Sequence, residues 1–267
     1  MLASNLAQGI IAPPEWPIGV EGLVSSDFPN VTHERGVLFI VTGAKYTSAA
    51  VEAAQSVADT NPQLGIALFT DQPVKDGPFH YVAQMGEGSS RRKHEFVARS
   101  PFKETLYLDS DTRVTTSLDD LFRLLEKFDM AGAHVRFRES PKRLVSYSSD
   151  IPRAFPQINC GVMLYRKCQQ VDDLFADWCR IYDEGGFKRD QIPFREALWR
   201  SSLRFYVFGP EYNKRYIPLS RFGGEPPPTI LHLKLYNSRN PIVHLGIRLA
   251  LIPTWRRIRK AERQLSK

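Results

Sequence analysis

Lys103-Glu104-Thr105-Leu106-Tyr107-Leu108-Asp109-Ser110-Asp111 is a short apolar run that ends in two carboxylates one residue apart. Such a run reads as a buried strand, and a buried strand that delivers Asp-x-Asp to its carboxyl end puts two hard oxygen ligands at the rim of a sheet. That rim is where open α/β sheets bind ligands. Asp109 and Asp111 so placed suit Mg²⁺ or Mn²⁺, because such ions keep waters and take few protein ligands. The same tripeptide in a turn is also an ordinary solvated loop, so the surrounding chain decides.

Upstream, Gly36 to Gly43 is a continuous apolar strand, Ser48 to Ala58 carries Ala and Val at helical spacing, and Leu64 to Thr70 is the next strand. This alternation predicts a parallel sheet flanked by helices. Arg91 to Arg99 reads as a polar helix feeding the Asp-x-Asp strand, and Ser117 as the N-cap of a helix through Leu121 and Phe122. Strands are expected at Met130–Val135, Ile158–Tyr165, Leu203–Phe208 and Thr229–Leu233, with helices at Val171–Tyr182 and Ile192–Trp199. Arg136 to Arg153, basic with Ser and Pro, is expected to be a long surface loop, either a functional lid or a mobile segment. The chain divides into a Pro- and Gly-rich lead-in (1–35), one α/β domain with a mostly parallel, Rossmann-like sheet (36–237) and a tail (238–267).

The 267 residues, 42% of them hydrophobic, suffice for a full core. The net charge of +7 is localised: Ser238 to Lys267 holds eight Lys or Arg against Glu262 alone, which leaves residues 1–237 neutral. A neutral body argues against a nucleic-acid partner. In the tail, Ile242, Leu245, Leu249, Ile252, Trp255 and Ile258 recur at helical steps among Arg and Lys, with Pro253 expected to kink or divide the helix. A basic amphipathic helix suits an anionic membrane surface; alternatively its apolar stripe docks on the domain's own core. Cys160, Cys168 and Cys179 have no metal-ligand spacing and read as reduced thiols. No secretory leader is visible and Ile242–Ile252 is too short to cross a bilayer, so the expectation is a cytoplasmic protein, peripheral on the inner face of a membrane.

Taken in order, these landmarks resemble the GT-A fold glycosyltransferases, most closely the retaining, family 8-like group of glycogenin and the galactosyltransferases, over Val37 to Leu233. Val41-Thr42-Gly43-Ala44-Lys45-Tyr46 resembles that group's first strand and donor loop, where an aromatic stacks on the nucleotide base. Lys93 lies sixteen positions before Asp109, as does a donor-reaching helix lysine there. Thr105 to Thr112 followed by Leu118-Asp119-Asp120-Leu121-Phe122 resembles the metal strand and the next helix. Asn159-Cys160-Gly161-Val162 is similar to the strand flanking the donor sugar, and Asp190-Gln191 to the pair that meets it. Tyr212-Asn213 and Ile230-Leu231-His232 resemble two later landmarks, the second carrying the third metal ligand.

The resemblance implies a Mn²⁺- or Mg²⁺-dependent transferase that moves a sugar from a nucleotide-diphosphate donor, a UDP-sugar, to a glycan or lipid-linked acceptor with retention. It implies Asp109, Asp111 and His232 as metal ligands, Thr42, Tyr46, Lys93, Asp109, Asn159 and Gly161 as donor contacts, and Asp190 and Gln191 as catalytic residues. Each has a plainer alternative: His232 as a core histidine, Lys93 as a solvated charge, Asp190 as a helix cap, Asn159 as a strand-end hydrogen bonder, Tyr46 as packing. The family's Gly and Lys-Pro-Trp after the histidine are missing here, which leaves the diphosphate to Lys234 or Arg239. Two other functions compete: a silent sugar- or nucleotide-binding module at a membrane, and a haloacid dehalogenase-type phosphatase. The latter wants Thr or Val where Arg113 stands, and wants the Asp-x-Asp strand first.

Overall fold

The computed structural model describes residues 31–85, 93–138, 144–216, 228–238 and 240–265. Its strands are β1 (Arg35–Val41), β2 (Gly65–Thr70), β3 (Tyr81–Gln84), β4 (Glu104–Leu108), β5 (Thr112–Val114), β6 (Met130–His134), β7 (Ile158–Arg166), β8 (Phe205–Val207) and β9 (Ile230–His232). Seven of them form one sheet in the order β3-β2-β1-β4-β7-β6-β8. All neighbours are parallel except β7, which runs against both β4 and β6.

Both faces of this sheet are covered, which is why its central strands read as unbroken apolar runs. On one face Val37, Phe39 and Val41 join Ala50, Ala53, Ala54 and Val57 of α1 (Ala44–Thr60). On the other, Leu38, Ile40 and Tyr107 join Phe175, Trp178 and Ile181 of α4 (Gln169–Glu184) and Phe194 of α5 (Gln191–Arg200), which follow the short α2 (Lys93–Phe96) and α3 (Asp119–Phe122). Small alanines make up the buried face of α1, whereas large aromatic side chains fill the layer beneath α4 and α5.

Several local expectations shift. The helix after residue 92 is one α-turn continued by a 3₁₀ turn (Val97–Arg99), and Arg91 and Arg92 lie outside the described residues. Leu118, not Ser117, takes the cap position of α3; the Ser117 hydroxyl still accepts the Asp119 N–H at 3.1 Å. Residues 230–232 do not join the main sheet but pair with β5 in a separate two-stranded ribbon. β3, with only Ala83 buried among its four residues, gives too weak a pattern to be anticipated. The tail forms α6 (Pro241–Leu265), a single helix that runs through Pro253 without division. A proline removes one rung of the hydrogen-bond ladder, which kinks a helix more readily than it ends one.

The loop after β6 is tied to the domain by hydrogen bonds over its described part. Arg195, only 1% exposed, donates to the carbonyls of Phe155 (2.7 Å) and Pro152 (3.1 Å) and to the Ser146 hydroxyl (3.0 Å). Its neighbour Glu196, fully buried, accepts the N–H groups of Ser149 (2.7 Å) and Tyr147 (3.0 Å) and the guanidinium of Arg200 (2.8 Å). Two adjacent charges on α5 thus staple residues 144–155 to the domain.

Burial alone would raise the Glu196 pKa, but the donors from Ser149, Tyr147 and Arg200 outweigh it and hold it down to about 2 against an ordinary 4.5. The depressed value means that this stabilisation is complete above pH 4.5 and is lost as pH falls towards 2. Glu196→Gln is expected to lower stability by about 3 kcal/mol at neutral pH and to flatten the acid limb of the stability curve. Urea unfolding at pH 7 and pH 3 checks this; equal loss at both values would place the effect elsewhere.

Candidate metal and donor site

β4 ends at Leu108, and the chain turns at once: the Asp109 carbonyl accepts both the N–H (3.2 Å) and the hydroxyl (2.8 Å) of Thr112. This turn holds Asp109 and Asp111 at the carboxyl rim. β9 pairs with β5 so that His232 stands opposite Thr112. The imidazole Nε2 therefore comes within 3.1 Å of Asp111 Oδ1 and 3.8 Å of Asp109 Oδ2. His232 is not a core histidine satisfied elsewhere but the third corner of a carboxylate cluster.

The antiparallel β7 supplies the floor. Val162 is in register with Leu108, so the Gly161 carbonyl accepts the Asp109 N–H at 2.9 Å. A Cβ on Gly161 would lie 2.4 Å from Asp109 Oδ2 and 2.5 Å from His232 Cε1. Only glycine lets those groups meet. Asn159 Oδ1 accepts from the Gly161 N–H (3.2 Å) and from Asn213 Nδ2 (3.0 Å), which turns Asn213 Oδ1 toward His232 Nδ1 at 2.8 Å. An amide oxygen can only accept, so Nδ1 carries the proton and Nε2 faces the carboxylates.

That donor set fits a divalent cation. The ligand atoms of Asp109, Asp111 and His232 all lie within 4.8 Å of one another. Ligands at adjacent positions of an octahedral ion with bonds of about 2.1 Å stand about 3 Å apart, matching the closest pair here. Two carboxylates and an imidazole suit Mn²⁺ or Mg²⁺, and the Asn213 bond to the far nitrogen is the usual orienting contact of a metal histidine. Among the protein's own groups, burial raises the Asp111 pKa, while contact with a protonated His232 and then the Arg215 charge lower it overall; a cation at Nε2 would take the place of that proton.

Lys93 lies beside this cluster. Its ammonium reaches Asp109 Oδ1 at 3.1 Å, Asp190 Oδ2 at 3.1 Å and the Cys160 carbonyl at 2.8 Å, and it lies over the Tyr107 ring at 5.1 Å. Three acceptors match its three N–H bonds. Burial opposes its charge, but Asp109 and Asp190 outweigh burial and hold its pKa well above the ordinary value. Lys93 is thus no solvated charge; it ties the Asp-x-Asp strand to the head of α5. Asp190 occupies the cap position of α5 without a capping hydrogen bond, its carboxylate turned to Lys93 instead, and Gln191 begins the helix.

On the other flank, Thr42 follows β1, Gly43 adopts φ 82°, and Tyr46 stands 44% exposed on the first turn of α1. Asp71 Oδ1 accepts the Gly43 N–H at 2.7 Å and so shapes this loop. Asp71 was not singled out from the sequence, although an acid directly after a buried strand is the same signal that marked Asp109. Asn213 was legible only as a landmark of the resemblance. Lys234 is exposed on a 3₁₀ turn (Lys234–Asn237), and Arg239 lies outside the described residues.

No protein-family sequence model matches the chain, and no curated protein sequence does. Solved structures do. The glycosyltransferase GlyE of Streptococcus pneumoniae TIGR4 superposes with a TM-score of 0.55 at 20% identity, over 82% of this chain and 61% of that one. The galactosyltransferase LgtC, in complex with donor and acceptor sugar analogues, superposes with a TM-score of 0.53 at 13% identity, over 74% of this chain and 87% of that one. The fold is GT-A. In GT-A terms the Asp109–Asp111–His232 cluster lies at the carboxyl rim, between the β1–β2 half of the sheet and the reversed β7.

Gly161→Ala is expected to push Asp109 and His232 apart and to weaken Mn²⁺ binding at least tenfold, the scale on which supporting contacts of a metal site act. Paramagnetic resonance of free Mn²⁺ measures it, with circular dichroism reporting the fold. An unchanged Mn²⁺ affinity would show that the three side chains do not share an ion.

Proposed function

We propose that this chain is a divalent-cation-dependent glycosyltransferase that moves a sugar from a nucleotide-diphosphate donor, a UDP-sugar, to a glycan acceptor with retention. The observation that carries this reading is the meeting of Asp109, Asp111 and His232 at the carboxyl rim of a GT-A sheet. A divalent ion held there supplies positive charge against the charge that grows on a departing diphosphate. Thr42 and Tyr46 are suited to the nucleotide, with the Asp71-shaped loop as its cradle. Asn159 and Gly161 hold the floor under the donor sugar, and Lys93 fixes Asp190 and Asp109 relative to each other. Asp190 and Gln191 offer polar contacts to donor hydroxyls. With retention the departing diphosphate accepts the acceptor's proton, so no protein base is required.

The phosphatase alternative does not suit the geometry. Three described strands precede the Asp-x-Asp strand, and Arg113 is held by Glu52 and by the Tyr236 ring at 4.4 Å. Wild-type protein with Mn²⁺ is expected to hydrolyse a UDP-sugar slowly to UDP and free sugar, and Asp111→Asn to lose this at least a hundredfold while keeping its unfolding midpoint. A screen of UDP-sugars by UDP release checks both. A fully active Asp111→Asn, or no hydrolysis of any nucleotide sugar, would refute the assignment.

The tail bears on where the acceptor is met. α6 has two apolar faces. Ile247 and Leu251 pack on Leu231, Leu233 and Tyr236, so one face belongs to the domain core. Ile242 (75%), Leu245 (57%), Leu249 (58%) and Ile252 (42%) remain exposed on the other. Arg256, also exposed, continues the three- and four-residue steps of that face, and the sequence places Arg259, Lys260 and Arg263 further along them. Beside Leu245, a cavity of about 530 Å³ lies between α1 and α6, with Lys45, His244 and Arg248 in its wall; Glu52 in the same wall is paired with Arg113. No described helix is long and apolar enough to cross a membrane. An apolar strip that runs into a basic one fits an anionic lipid surface, and with it a lipid-linked acceptor.

Removing residues 238–267 would uncover the domain core, so point changes are the cleaner test. Leu245→Asn with Leu249→Asn is expected to cut co-sedimentation with anionic phospholipid vesicles about tenfold or more, since each leucine contributes roughly 1.5 kcal/mol or more when buried. Binding by the wild type should weaken with salt. A wild type that ignores such vesicles, or a double variant that binds them equally, would overturn the membrane role.

A further inference from the structure

The GT-A sheet places the nucleotide half and the metal strand in order, and a second cavity lies beyond them. It has a volume of about 220 Å³ and lies where β6 ends against a 3₁₀ turn (Pro210–Asn213) and the residues after it. Arg136, Arg138, Lys214 and Arg215 line it, and no described lining residue is acidic. In a body that is neutral overall, four cations around one small cavity are a concentrated positive field.

Two of these cations, Lys214 and Arg136, are gathered on one aromatic ring. The Tyr216 ring lies between Lys214 Nζ, 4.3 Å from its centroid, and the Arg136 guanidinium, 4.9 Å away, and its hydroxyl meets Lys214 Nζ at 3.0 Å. Lys214 is 2% exposed, and its carbonyl accepts the His232 N–H at 2.8 Å. His134, in the same wall, has a buried Nδ1 that meets no hydrogen-bond partner among the described residues. Burial first, and the Arg138 charge second, lower the His134 pKa, so at neutral pH it is a neutral group beside four cations. A wall of this kind, with Arg forks and no opposing charge among its described residues, is suited to phosphate or carboxylate oxygens.

The cavity adjoins the metal cluster through two residues. Asn213 lines it and also holds His232 Nδ1, while Arg215 lines it and its charge reaches Asp111. It lies on the flank opposite the nucleotide loop. Thr42, Tyr46 and Asp71 stand at the ends of β1 and β2, the Asp-x-Asp turn follows β4, and the cavity is at β6, two strands further along. Two strand spacings are about 10 Å. The cavity is thus offset along the sheet from the nucleotide loop and from the strand that leads to Asp109.

We propose that this cavity binds an anionic group of the acceptor, so that the enzyme glycosylates a phosphate- or carboxylate-bearing glycan about one sugar unit from the charge. The proposal rests on the transferase function above and narrows its substrate class. The test uses full-length protein with UDP and Mn²⁺, titrated by calorimetry with glucose, glucose 6-phosphate and glucuronate. A charged sugar is expected to bind at least tenfold tighter than glucose, and Arg136→Gln with Arg138→Gln, two exposed positions, to remove that preference. Equal binding of all three sugars by a protein that hydrolyses UDP-sugars would overturn the proposal and leave the transferase function standing. Selective binding of a charged sugar without any UDP-sugar hydrolysis would keep the site and reject the transferase function. Loss of UDP affinity in the double variant, with competition between UDP and glucose 6-phosphate, would make the cavity a donor-phosphate clamp and likewise overturn the proposal.

Discussion

Asp109 Oδ2 and His232 Cε1 come within 2.5 Å of the point where a side chain on residue 161 would begin. Two elements from distant parts of the chain can meet there only because β7 runs against its neighbours. A parallel strand would bring its last residues to the carboxyl rim; β7 brings its first ones, Asn159 and Gly161. Asn159 then orders Asn213, and Asn213 orders the imidazole. One reversed strand thus supplies the space for the cluster and the hydrogen bonds that aim it.

Charge in the site is arranged in layers. Lys93 compensates Asp109 and Asp190 from beneath, leaving Asp109 Oδ2, Asp111 and the imidazole to face one another at the rim. The same ammonium joins α5 to β4, so the head of that helix cannot shift without unpairing a buried charge. Unpairing a buried charge is far costlier than losing a surface ion pair. Arg195 and Glu196 act in the same way at the middle of α5, where they hold the loop that follows β6. The position of Asp190 is therefore set by three charged side chains.

What the sequence shows and what it hides follow from where the partners lie. β1, β4 and β7 are legible because both faces are buried and their central residues form apolar runs. The Asp-x-Asp turn is legible because its two ligands are local. The His232 contact is not local: it depends on β5 and β9, three residues each and more than a hundred positions apart, which pair outside the main sheet. Lys93 and Asp190 are similarly distant, so a basic run and a helix cap were equally fair expectations for them. Arg195 and Glu196 look like surface charges within an amphipathic helix. In α6 the sequence shows one apolar stripe plainly, yet a second one, Val243, Ile247 and Leu251, is the one that packs.

The bonds from Arg195 to residues 144–155 cross gaps of 40 to 51 positions. Closing a segment of that length costs conformational entropy before any contact returns it, and until the loop is in place Arg195 lacks its carbonyls and Glu196 has only Arg200. Helix and loop therefore secure each other in one step rather than contact by contact. Residues 144–155 cannot peel away from one end alone, because opening the segment strands a buried charge at the other, and the loop behaves as an all-or-none cover over the middle of α5.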